Sequence, residues 1–111
     1  MVDVTVTELE NVALVVVTGR IDSMTAGRFG VGLSGAIEKG FSHIVLDLAG
    51  VDYMSSAGLR EIVNALKKVR REKGDLRIAQ PSSRVFEVLE MAGLDTVVQI
   101  FETQAEALGS Y

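Results

Sequence analysis

The chain has 111 residues, 48% of them hydrophobic, a formal net charge of −4 and no cysteine. One domain of this length buries roughly 65% of its unfolded surface and folds without staples. The composition excludes disulfides and thiolate metal sites, and the negative balance argues against general nucleic-acid binding.

Val2 to Thr7 alternates apolar and polar residues and reads as a half-buried strand. Glu8 to Asn11 is a short polar turn. Val12 to Thr18 is a dense β-branched run, which reads as a more buried strand that Gly19 and Arg20 end. Asp22 or Ser23 is placed to cap a helix over Met24 to Lys39, whose apolar face is Ala26, Phe29, Leu33, Ala36 and Ile37. His43 to Leu48 reads as a third strand. Leu59, Ile62, Val63, Leu66 and Val69 recur at helical spacing, so Ser56 to Lys73 is a second helix. Leu76 to Ala79 is a fourth strand, Pro81 to about Met91 a third helix, Val97 to Phe101 a last strand, and Thr103 to Leu108 a closing helix. The order β-β-α-β-α-β-α-β-α predicts one α/β domain over residues 1–111: a mostly parallel sheet, an N-terminal hairpin and four helices packed on it. No apolar run approaches the roughly 18 residues of a membrane-spanning helix, and the N-terminus lacks the basic start of a signal peptide. The expectation is a cytoplasmic protein without direct membrane insertion.

The run Val51-Asp52-Tyr53-Met54-Ser55-Ser56-Ala57-Gly58-Leu59-Arg60 carries the most information. Two serines stand at a strand-to-helix turn, at the positive end of a helix. One of them can serve as an N-cap, or a hydroxyl there can be exposed for modification, since an added phosphate is favoured at that end. Small neighbours, Ala57 and Gly58, leave the hydroxyls accessible, and Gly58 in the first turn allows close approach of another surface. A serine nucleophile has no base: the single histidine, His43, sits at the far end of a strand roughly 16 Å long, and no Gly-x-Ser-x-Gly elbow is present.

Other features read as structural. Gly30-Val31-Gly32-Leu33-Ser34-Gly35 matches a dinucleotide-binding pattern by letter but falls inside a helix. Glycines 27, 30, 32 and 35 each weaken that helix by about 0.8–1 kcal/mol relative to alanine, which predicts a locally mobile helix held by tertiary packing. Asp22, Asp47 and Asp52 fall near strand ends, where they serve as caps and turn formers or hold Mg²⁺. Lys67, Lys68, Arg70, Arg71 and Lys73 form either a solvated helix end or a contact patch. Met24, Met54 and Met91 are dispersed and read as packing residues.

The opening hairpin, Gly19-Arg20-Ile21-Asp22 with Thr25-Ala26, the strand Ile44 to Leu48 and the Val51 to Leu59 run together resemble the STAS domain family. They are most similar to its stand-alone bacterial anti-sigma factor antagonists, and the resemblance covers nearly the whole chain. It implies a STAS-type fold and a partner-switching module rather than an enzyme, with no cofactor or metal. The unphosphorylated form would bind an anti-sigma factor with serine kinase activity and release the sigma factor. Phosphorylation at Ser56 would end binding, and a phosphatase would restore it. Ser55 is the secondary acceptor; many members carry Asp there, so the local charge is lower in this chain. The implied partner surface is Asp22, Asp47, Met54, Ser55, Ser56, Ala57, Gly58 and Leu59. The alternatives are a STAS subunit of a membrane lipid or anion transport complex, and a nucleotide-sensing module on the same rim. Oligomeric state stays open.

Overall fold

A computed structural model describes residues 1–111. The order is β1 (Val2–Glu8), β2 (Ala13–Ile21), α1 (Ala26–Glu38), β3 (His43–Met54), α2 (Ser56–Arg71), β4 (Asp75–Ala79), α3 (Ser83–Met91), a 3-10 turn (Leu94–Thr96), β5 (Ile100–Phe101) and α4 (Gln104–Gly109). One five-stranded sheet runs in the order β1-β2-β3-β4-β5. β1 and β2 pair antiparallel; the remaining neighbours are parallel. The expected α/β architecture is borne out.

Side-chain alternation sorts the layers. Val15, Val17, Ile44, Leu46, Leu48, Leu76 and Ile78 face one way and meet Phe29 and Leu33 of α1, Ile62, Leu66 and Val69 of α2, and Val85 and Leu89 of α3. Leu14, Val45 and Ala79 face the other way, under Ala107 of α4. Three helices therefore cover one face of the sheet and one short helix covers the other. No helix is long and apolar enough to cross a membrane.

Two strands outrun the sequence reading. β2 continues through Gly19 and Arg20 to Ile21, because Gly19 adopts φ +105° and keeps the strand in register past the kink. β3 continues to Met54, and its last residues pair with β2: Gly19 with Val51, Arg20 with Tyr53, Ile21 with Met54. The ladder steps from Val16–Asp47 to Arg20–Tyr53, four residues along β2 against six along β3. β3 thus carries two extra residues, which bend and twist it. The breaks in periodicity after Leu48 and at Gly19 are bulges, not strand ends. β5 is shorter than expected, because Leu94–Thr96 form a helical turn ahead of it.

The glycine-rich α1 is packed more closely than its composition suggests. An added Cβ at Gly30 would lie 2.2 Å from the Glu61 carboxylate, and one at Gly32 would lie 2.5 Å from Val4. These two glycines let α1 sit close on α2 and β1. Gly27 and Gly35 face open space.

α4 is pinned at both ends. Gln104 donates to Asp47 at 2.7 Å. At the other end the Tyr111 hydroxyl lies 2.7 Å from both the Ile44 and Asp75 carbonyl oxygens, and Arg77 stacks on the Tyr111 ring while bonding Ser110. Burial, reinforced by the Asp75 charge, pushes the Tyr111 phenol well above its ordinary range, so the hydroxyl stays a donor. Tyr111→Phe removes the single hydroxyl proton that these two part-buried carbonyls share and is expected to cost about 1–2 kcal/mol in urea unfolding. An unchanged midpoint would mean the latch contributes nothing to stability.

Candidate functional site

The site is built where β2 and β3 end side by side. The Ser55 N–H donates to the Ile21 carbonyl at 2.8 Å, which ties the start of α2 to the end of β2. The chain turns from strand to helix in a single residue, Ser55 (φ −93°, ψ 174°). Ser56 is the first helical residue and is exposed.

The two serines differ sharply. The Ser55 hydroxyl is buried, caps no helix N–H and has no hydrogen-bond partner. The Ser56 hydroxyl stands at the surface, beside the unpaired amides and positive dipole of the α2 N-terminus. Only Ser56 can meet an incoming group without opening the turn.

Asp22 lies on the same rim, immediately after Ile21. Its carboxylate accepts from the Met24 N–H at 2.9 Å and the Thr25 N–H at 3.1 Å, while the Thr25 hydroxyl accepts from the Asp22 N–H at 2.9 Å. This reciprocal arrangement closes the turn that leads into α1. The helix begins at Ala26, later than Met24, with Thr25 at its N-cap and no side-chain cap bond, so neither Asp22 nor Ser23 holds the expected cap position. The Met24 N–H holds the Asp22 carboxyl below its ordinary range, against desolvation as the next largest effect and with help from Thr25 and the Arg20 guanidinium. Arg20 pairs with Asp22 at 3.3 Å and lies 3.9 Å over the Tyr53 ring. Arg20 and Tyr53, which the sequence reading did not place at this rim, stand on it beside Asp22. The signal was their place one residue before each strand end, legible only once the β2–β3 register is known.

Three expected contact residues are placed elsewhere. Asp47 is 4% exposed and lies on the α4 face, in mid-strand rather than at a strand end. It accepts from Gln80 at 3.1 Å, from Gln104 at 2.7 Å and from the Ala49 N–H at 2.9 Å, and so takes up a backbone donor at the β3 bulge. Six residues of β3 lie between it and Met54, about 20 Å of strand. Met54 is 2% exposed and belongs to the core. Gly58 is buried: a Cβ there would lie 2.7 Å from Ile21 Cγ2 and 3.0 Å from Met54 Cγ. Its smallness serves packing of α2 on the two strand ends, not access for another surface. Ala57 and Leu59 are half-buried next to Ser56 and remain on the accessible side. No three His, Asp or Glu side chains converge, so Asp22, Asp47 and Asp52 do not build a Mg²⁺ site. His43 lies at the opposite end of the twelve-residue β3, 4.9 Å from the Tyr111 ring, remote from both serines.

The STAS domain family model matches residues 3–107. The chain belongs to the STAS domain family. The anti-sigma-B factor antagonist of Listeria monocytogenes is 32% identical over 94 residues, which span 85% of this chain and 82% of that protein. An anti-sigma factor antagonist from Mycobacterium paratuberculosis superposes with a TM-score of 0.91 at 23% identity, over 99% of this chain and 93% of its own. The phosphorylated form of the Bacillus cell fate determinant SpoIIAA superposes with a TM-score of 0.77 at 17% identity, over 97% and 98%. These last two similarities speak for the STAS fold alone.

Two predictions test the geometry. Gly58→Leu is expected to lower stability by about 2 kcal/mol or more, through overpacking against Ile21 and Met54; a wild-type urea midpoint would contradict the packing role. Asp22 has a depressed folded pKa, so its turn-closing contribution is complete above the unfolded value near ~3.9 and is lost as pH falls through the folded value. The stability gap between wild type and Asp22→Ala should therefore be constant from pH 7 to 5 and close in more acidic solution. A gap that persists at the lowest pH would show that the charge is not what Asp22 contributes.

Proposed function

We propose that this STAS protein is an anti-sigma factor antagonist whose binding is switched by phosphorylation of Ser56. The observation that carries this reading is the contrast at the α2 N-terminus: an exposed Ser56 hydroxyl next to a buried, unpartnered Ser55 hydroxyl. The names of relatives such as the Listeria monocytogenes anti-sigma-B factor antagonist supply the partner class. The unmodified protein binds an anti-sigma factor that is also a serine kinase, and so frees the sigma factor. The protein acts as a binding module, not as an enzyme, and a phosphatase returns it to the binding form.

The switch is physically economical. A phosphate adds about −1.5 to −2 charges at neutral pH. The fold tolerates it, because free amides and the helix dipole favour an anion at this position. A partner surface resting on Ser56, Ala57 and Leu59 must desolvate that anion. A hundredfold loss of affinity needs only about 2.7 kcal/mol, which is within the range of one poorly compensated interfacial charge.

Ser56→Asp should keep the wild-type circular dichroism spectrum and lose at least a hundredfold in affinity for the anti-sigma factor. Ser56→Ala should bind it and accept no phosphate from it. The test is a pull-down from lysate with wild type and Ser56→Asp, followed by mass spectrometry and titration of the captured protein. Capture of a kinase-like protein by wild type alone supports the switch. Equal capture of membrane transport subunits by both would reassign the protein to a transport complex. Full phosphate incorporation into Ser56→Ala would move the acceptor to Ser55 or beyond.

A further inference from the structure

An open groove of about 410 Å³ starts at Ser56 and follows α2 towards the end of α3. Its floor and far wall are apolar: Leu59 and Val63 on one side, Ala92 and Leu94 on the other. Arg60 and Lys67 stand along it, and no acidic residue lines it. Neither cation has an ion pair in a chain whose net charge is −4. Ser56, Arg60, Val63 and Lys67 fall on one stripe of α2, about 16 Å long, with Ser56 and Arg60 one turn apart.

We infer that this groove is the docking channel for the anti-sigma factor, and that it takes a partner segment presenting an aliphatic side chain beside a carboxylate. The inference rests on the function proposed above. The aliphatic group lies between Val63 and Leu94, and the carboxylate pairs with Arg60. The lining decides the occupant. A purely apolar segment would leave two cations without partners at the contact, and a nucleic acid would meet only two cations on a negatively charged molecule. A small ligand is disfavoured as well, since an open groove along a helix would leave much of its surface in water. Continuity with Ser56 gives the groove its regulatory value. A phosphate on Ser56 would stand one turn from Arg60 and compete with the partner carboxylate for the same guanidinium.

The test is titration of the captured anti-sigma factor against wild type, Arg60→Glu, Arg60→Gln and Lys73→Glu. Lys73→Glu makes the same charge change as Arg60→Glu, beyond the end of α2 and outside the groove. Arg60 is exposed and has no side-chain hydrogen bond in the fold, so its variants should keep wild-type thermal stability. The expected result is a loss of at least thirtyfold for Arg60→Glu and about tenfold for Arg60→Gln, shrinking in high salt, with Lys73→Glu within threefold of wild type. Equal losses for Arg60→Glu and Lys73→Glu would reduce the effect to net charge and overturn the docking assignment. Wild-type affinity for Arg60→Glu would overturn it too. If Ser56→Asp still abolishes binding in that case, the phosphoswitch survives and only the groove is wrong; if it does not, the switch itself fails.

Discussion

The arrangement of the whole site depends on β2 and β3 ending together. The Ser55 N–H reaches the Ile21 carbonyl only because Met54 is in register with Ile21. That register requires β3 to absorb two extra residues between Asp47 and Tyr53, and it requires Gly19 in its left-handed conformation on β2. Once the two ends are level, α2 starts directly on top of them, and Gly58 is the only residue whose size suits the gap above Ile21 and Met54. Asp22, Arg20, Tyr53 and Ser56 are then gathered on one rim by backbone geometry alone.

Asp47 supports this constraint from the other face. A carboxylate that is 4% exposed needs its charge matched by donors. Here the donors are two glutamine amides and one backbone N–H, without a cation. The backbone donor belongs to Ala49, at the first irregularity of β3. Asp47 therefore ties the bulge that sets the β3 register to Gln80 after β4 and to Gln104 of α4. Gln80 holds φ +58°, a conformation non-glycine residues adopt rarely, and its bonds to both Asp47 oxygens help keep it there. Asp47 thus supports the level strand ends from the opposite face of the sheet, away from Ser56.

Much of this was legible from residue pattern. The order of elements, the half-buried β1 and the Leu59 to Val69 stripe of α2 all follow from periodicity and local chemistry, and all are present. What escaped the pattern was pairing between strands. Val51 to Met54 is a continuation of β3, but its alternation is broken by the extra residues, so it resembles a turn when read alone. The same gap misplaced Asp47 at a strand end and made Gly58 look like an opening for a partner. Gly30 and Gly32 show the converse: composition predicts a weak, mobile α1, yet close contact with Glu61 and Val4 supplies a reason for both glycines that no single-helix argument contains. The preference for Ser56 over Ser55 rests on the resemblance alone; the structure adds which side of the turn each hydroxyl occupies.

That separation is what the proposed switch relies on. The turn spans one residue, so adjacent side chains point into different environments: one hydroxyl into the packed junction, one into solvent. A charge placed on Ser55 would have to enter a junction built from Ile21, Met54 and Gly58, and desolvation would set it against folding itself. A charge on Ser56 enters water, beside free amides that favour it, and its cost arises only when a second surface removes that water. On the proposed reading the same group would be nearly neutral for stability and decisive for association. A short strand-to-helix turn with a small buried residue followed by an exposed serine thus satisfies packing and switching with adjacent side chains.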